Sequence, residues 1–117
     1  MANGFLSHSP TTLALDSDKG ILIFGPMRPG IDSGIHVHLW SPTYFRRPTL
    51  ARSTLAWGMK NWDLHRLYTV IPSRNTLACR YVESLGFSLE GVLRKHFRYT
   101  EGRDDGRLYA LLREEVT

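Results

Sequence analysis

Two histidines, an arginine pair and an asparagine are the side chains in this chain whose types and spacing suit chemistry. His36 and His38 stand two apart in residues 35–40 (IHVHLW), a run that alternates apolar and polar residues. On a strand, such alternation puts both imidazoles on one face and Ile35, Val37 and Leu39 on the other. Histidine titrates near neutral pH, so either one can accept a proton from an amine, directly or through water. Equally, the two can be ordinary surface histidines of a sheet. The spacing also suits zinc, but no third ligand is evident, and no metal site is expected. Arg46 and Arg47 lie in residues 41–49 (SPTYFRRPT). Adjacent guanidinium groups can hold an anion by charge-assisted bonds, or can stay a solvated pair. Asn75 can cap a helix, because its side-chain oxygen can accept from an otherwise free backbone N–H. Cys79 is the only cysteine, which excludes an internal disulfide and a cysteine metal cluster. Placed within a helix, it reads as a small packed apolar residue.

The elements that must position these groups follow from periodicity. Residues 75–85 form a helix with both ends marked. Leu77, Ala78, Tyr81, Val82 and Leu85 recur at helical spacing, Asn75 starts the run, and Gly86 follows it where a left-handed terminator is usually glycine. Residues 67–71 (LYTVI) before it read as a buried strand. Residues 49–62 form a second helix, with Ala51, Leu55, Met59 and Trp62 near one stripe. Residues 11–16 and 20–25 read as a strand hairpin around the turn DSDKG, and residues 26–34 (PMRPGIDSG) as a Pro- and Gly-rich loop. Residues 87–99 form one long strand, or two broken at Gly91. Residues 101–106 (EGRDDG) read as a hairpin turn, and 107–113 as the last strand. The order is β-β-β-α-β-α-β-β. Residues 1–10 read as a flexible arm and 11–117 as a single domain.

A length of 117 residues suits one modest core. At 42% hydrophobic and 22% charged, the composition is that of an ordinary globular domain rather than a disordered or fibrous chain. No apolar run approaches the roughly 20 residues of a membrane helix, and MANGFLSHSP lacks the order of a secretory signal. A cytoplasmic protein with no membrane partner is the default. The net charge of +4 suits an anionic cofactor or nucleic acid, but no nucleic-acid motif supports the second.

The stretch NTLACRYVESLGFSLEGVLR resembles the fourth helix and following strand of the GNAT acyl-CoA N-acyltransferases, most closely the RimJ/RimL branch that acetylates protein N-terminal amines. Asn75, Leu85, Gly86, Phe87, Glu90, Gly91 and Arg94 carry the likeness, and DDGRLYALLREE fits with Asp105 and Tyr109. The resemblance covers about the last 85 residues. It implies a mixed, mostly antiparallel α+β sheet with two main helices, here without the family's first strand and helix pair. It implies an acetyl-CoA-dependent N-acetyltransferase acting on a primary amine, with CoA entering a splay between parallel strands at residues 35–40 and 67–71. Backbone N–H groups around Leu39 and Trp40 would then face the acetyl carbonyl, with His38 or His36 as base. Phe45, Arg46, Arg47, Pro48 and Thr49 would hold the pyrophosphate, and Asn75 would meet the pantetheine. Two departures keep a second reading open. The family's pyrophosphate turn is glycine-rich, whereas residues 41–49 contain no glycine. The positions that often carry the thiolate's acid are Val82 and Ala78. The alternative is a non-catalytic GNAT-fold module for structure or protein interaction. A sheet partly uncovered at its N-terminal side implies a homo-oligomer or a protein partner, through Trp40, Tyr44 and Trp57.

Overall fold

The computed structural model describes residues 11–13, 20–39 and 48–116, and the side chains of residues 22–36 and 51–116. Six strands are present: β1 (Thr11–Leu13), β2 (Gly20–Arg28), β3 (Asp32–Leu39), β4 (Arg66–Pro72), β5 (Ser88–Tyr99) and β6 (Gly102–Leu112). Helix α1 (Pro48–Asn61) joins β3 to β4, helix α2 (Thr76–Ser84) follows β4, and a 3-10 turn (Arg113–Glu115) follows β6. The strands form one sheet in the order β1-β2-β3-β4-β6-β5. Every neighbouring pair is antiparallel except β3 and β4, which are parallel. The mixed, mostly antiparallel sheet with two helices matches the expectation from sequence.

Both helices cover one face of that sheet. Leu22, Phe24, Met27, Ile35, Leu67, Ile71, Tyr109 and Leu111 point to it from alternate strand positions and join Ala51, Leu55 and Met59 of α1 and Cys79 and Val82 of α2 in one core. Each fully buried leucine or phenylalanine contributes roughly 1.5–3 kcal/mol of transfer free energy. Close approach of α1 depends on Gly58. A methyl group there would stand 2.3 Å from Cζ of Phe24, so the ring packs directly on helix backbone. Trp62 closes the same corner, its ring 5.3 Å from Phe24 and 5.4 Å from Trp57.

Helix α2 starts and stops where the sequence marks it. Asn75 Oδ1 accepts from the Ala78 N–H at 3.2 Å. At the other end the Gly86 N–H donates to Glu83 O at 3.0 Å and the Phe87 N–H to Val82 O at 3.1 Å. Gly86 has φ +104°, a region that L side chains avoid. These two bonds are the Schellman closure, and buried Val82 and Phe87 supply its apolar contact.

Two expectations need correction. Residues 26–34 are not a loop. Strand β2 runs on to Arg28 and β3 begins at Asp32, because an irregularity between Phe24 and Met27 accommodates Pro26 without a ladder donor. Arg28 and Asp32 then close the hairpin side by side, through Nε–Oδ1 and Nη2–Oδ2 contacts of 2.7 and 2.6 Å. Residues 101–106 are not the turn either. Tyr99 pairs with Gly102, so the turn is only Thr100–Glu101, and Asp104 and Asp105 lie within β6. Strand β1 spans Thr11–Leu13, and residues 14–16 of the expected strand lie outside the described residues. Residues 87–99 form one strand, with irregular register at Leu89–Gly91 and Leu93–Phe97.

Candidate functional site

A parallel pair that parts company in mid-course creates the most distinctive backbone feature. Strands β3 and β4 pair only at Asp32–Arg66, Ser33–Leu67 and Gly34–Tyr68. Beyond that point β3 continues to Leu39, still paired with β2, and β4 continues to Pro72, still paired with β6. Among the described residues, no strand lies between their facing edges over residues 35–39 and 69–72. Backbone N–H and C=O groups are obligatory hydrogen-bonding groups, so such an opening can receive an extended ligand carrying amides. The family resemblance implies neighbouring parallel strands, splayed at one end, for residues 35–40 and 67–71; the pairing itself lies at residues 32–34 and 66–68, and the splay follows it.

Helix α2 enters at the open end of β4. The Asn75 side chain is exposed, and its Oδ1 is engaged by the cap, so its amide NH2 remains available to a ligand. Helix α1 begins at Pro48 and has no acidic residue in its first turn, which leaves the positive end of its dipole uncompensated by its own side chains. Pro suits that first position.

His36 is exposed and lies on β3 opposite Ile23. By strand alternation it faces away from the helices, on the same side as Tyr68 and Val70 of β4. The backbones of His38 and Leu39 complete β3, and Pro48 and Thr49 form the start of α1. The side chains of these four are outside the described set, as are Trp40, Phe45, Arg46 and Arg47 altogether. The described residues thus place His36 on β3, at the stretch that has parted from β4, and Asn75 at the entry to α2. Among them, no three His, Cys, Asp or Glu side chains converge as a metal site.

One polar cluster escaped the sequence reading. Tyr109, fully buried on β6, donates its hydroxyl to Glu83 Oε2 at 2.7 Å, and Arg107 also reaches the phenol. Burial, reinforced by the Glu83 bond, pushes the Tyr109 pKa up to about 12. At neutral pH the phenol is protonated, and its bond to Glu83 ties α2 to β6. Its signal was the shared inward face of Arg107, Tyr109 and Leu111, which meets Cys79 and Glu83 one helical turn apart. Val82 and Tyr81 are both buried in the core. Among the described residues, α2 thus presents no tyrosine at the usual acid position.

No family model and no curated protein sequence matches the chain. Solved structures do. A GNAT-family acetyltransferase from Bacillus anthracis superposes with a TM-score of 0.69 at 28% identity, over 83% of this chain and 60% of that one. A point mutant of the spermidine N-acetyltransferase SpeG from Vibrio cholerae gives 0.75 at 19% identity, over 84% and 59%. The same Vibrio cholerae enzyme, in complex with CoA and spermine, gives 0.73 at 19% identity, over 84% and 60%. The chain spans about 60% of the length of these neighbours. The splayed parallel pair, the two helices on one face and these superpositions lead to one conclusion: the chain has the fold of the GNAT acetyltransferases.

Proposed function

We propose that this chain is an acetyl-CoA-dependent N-acetyltransferase acting on a primary amine, with a protein N-terminus as acceptor in the manner of the RimJ/RimL branch. The observation that carries the reading is the opening between β3 and β4 beside the Asn75-capped helix, in a fold whose neighbours include an enzyme complexed with CoA and spermine. The two amides of pantetheine match the unpaired edges of residues 35–39 and 69–72. The pattern from Asn75 to Arg94 supports the RimJ/RimL assignment.

In the reaction, the amine nitrogen attacks the thioester carbonyl carbon and the C–S bond breaks, leaving the thiolate of CoA. The backbone N–H groups near Leu39 and Trp40 stabilise the oxyanion, which is where preorganised donors contribute most. His38, or His36 from the exposed face of β3, takes the ammonium proton directly or through water. Water supplies the proton to the thiolate, since α2 offers Val82 and Ala78 in place of an acid. The pyrophosphate lies at the start of α1, against Arg46, Arg47 and the backbone of residues 45–49.

Replacing both Arg46 and Arg47 by Ala should weaken CoA binding by about 2–4 kcal/mol, since charge-assisted bonds are worth roughly 1.5–3 kcal/mol each. Asn75→Ala should cost less, because water can partly replace a neutral bond. Isothermal calorimetry reads both. CoA affinity indifferent to the arginine pair would remove the pyrophosphate from residues 45–49. The second reading, a non-catalytic module of the same fold, is favoured by one observation: Tyr109 on β6 is bonded to Glu83, and Tyr81, the tyrosine of α2, is buried in the core. Binding of acetyl-CoA without turnover of any amine would favour it.

A further inference from the structure

The entry to α2 is held from the side opposite the opening. Residues 73–75 connect β4 to α2, and the β5–β6 hairpin reaches across to them. The Ser73 N–H donates to Asp105 O at 2.9 Å. The Arg74 N–H donates to Asp104 Oδ2 at 2.9 Å, and Arg74 Nη1 donates to Glu101 Oε1 at 2.9 Å. The Arg74 guanidinium carbon lies 3.4 Å from the centroid of the Tyr99 ring. The hairpin is itself braced, because Asp105 Oδ1 accepts from the Lys95 N–H at 2.8 Å inside the irregular stretch of β5. A strand-to-helix turn needs only its cap. Here a connection of three residues receives four further contacts from residues 99–105.

We infer that the tip of the β5–β6 hairpin is a positioning device for the cofactor site: Tyr99 and Asp104, acting through Arg74, fix where Asn75 and the first N–H groups of α2 stand at the mouth of the β3–β4 opening. The inference rests on the reading that an acyl-CoA binds there. The four contacts do not count equally. Both partners of the Arg74–Glu101 pair are more than half exposed, at 52% and 64%, so solvent screens it and it adds little. Stacking of a guanidinium on an aromatic face survives exposure better, and the Asp104 carboxylate takes the Arg74 backbone N–H with a charge-assisted bond. Tyr99 and Asp104 are therefore positioning residues, and Glu101 is close to dispensable.

The test uses the full chain with Tyr99→Leu, Asp104→Ala, Glu101→Gln and the conservative Tyr99→Phe. Two quantities are read: amide exchange over residues 75–79, and the dissociation constant and turnover with acetyl-CoA. Tyr99→Leu and Asp104→Ala should each speed exchange about three- to tenfold and raise the acetyl-CoA dissociation constant by a similar factor, with turnover at saturation within about twofold of wild type. Tyr99→Phe keeps the stack and should behave as wild type, as should Glu101→Gln. Should Tyr99→Leu fail to fold, Arg74→Gln, half exposed, makes the same test. Unchanged exchange in both Tyr99→Leu and Asp104→Ala overturns the clamp. Faster exchange with unchanged acetyl-CoA affinity overturns its role in the site. A wild type that binds no acetyl-CoA overturns the functional reading instead, and faster exchange then still upholds the clamp.

Discussion

At the scale of single residues, the polar groups of this chain divide into those that fix structure and those left for a ligand. Asp32 belongs to the first kind. It is 9% exposed, and the Arg28 guanidinium, with smaller help from Arg66, holds its carboxyl below the usual range despite the opposing effect of burial. A lowered folded pKa means that the fold favours the ionised form. The resulting stability is fully present above the ordinary carboxylate value near 4 and is lost as pH falls through the lower folded value. Asp32→Asn should therefore cost about 1 kcal/mol at neutral pH, a low figure because Arg28 is largely exposed. Urea unfolding at pH 7 and at pH 3 checks this: the gap between wild type and mutant should narrow in acid. A gap that stays constant would show that the pair contributes nothing through charge.

At the scale of elements, α2 was legible almost to the residue, because both of its signals are local chemistry. Asn75 caps and Gly86 terminates whatever the rest of the chain does. The parallel neighbours β3 and β4 were foreseeable only through the family resemblance, since the two strand patterns alone do not say that they pair. What could not be read was tertiary. Pro26 and Gly34 look like loop residues until an irregular ladder gives them places in strands. Asp104 and Asp105 look like turn residues until Arg74 and Lys95 supply their backbone N–H groups. Of the candidate site, His36 lies on a strand and Asn75 caps a helix, as their local sequence patterns indicate, while their roles toward a ligand remain a proposal. The Tyr109–Glu83 contact was hidden, since its partners are 26 residues apart. The tightest packing was hidden too. Gly58 reads as a weak helix residue, yet its missing side chain is what admits Phe24. Gly58→Ala, which propensity alone would make stabilising by about 1 kcal/mol, should instead destabilise by about 1–3 kcal/mol through overpacking. Thermal melts settle the sign, and a raised melting temperature would mean that α1 rides further from the sheet than described.

At the scale of the whole molecule, both helices serve one face of the sheet and leave the other to Ile23, His36, Tyr68, Val70 and Leu108, none of them buried. Trp57 on α1 is also 49% exposed. Among the described residues no element covers this half-buried face, so self-association is the expected outcome, and sedimentation should detect a species larger than 13.4 kDa at high concentration. A strictly monomeric profile would count against it. Among the described residues no helix is long and apolar enough to cross a membrane.

The proposed activity stands or falls with acyl-CoA binding at the opening between β3 and β4, and the melting temperature of the full chain with and without acetyl-CoA tests it most directly. A ligand that binds only the native state must stabilise it, by about 2.7 kcal/mol at a hundred times its dissociation constant. For a domain of this size the midpoint should then rise by on the order of 10 °C with saturating acetyl-CoA. No rise at millimolar acetyl-CoA would contradict an acyl-CoA enzyme and leave the fold serving a structural purpose.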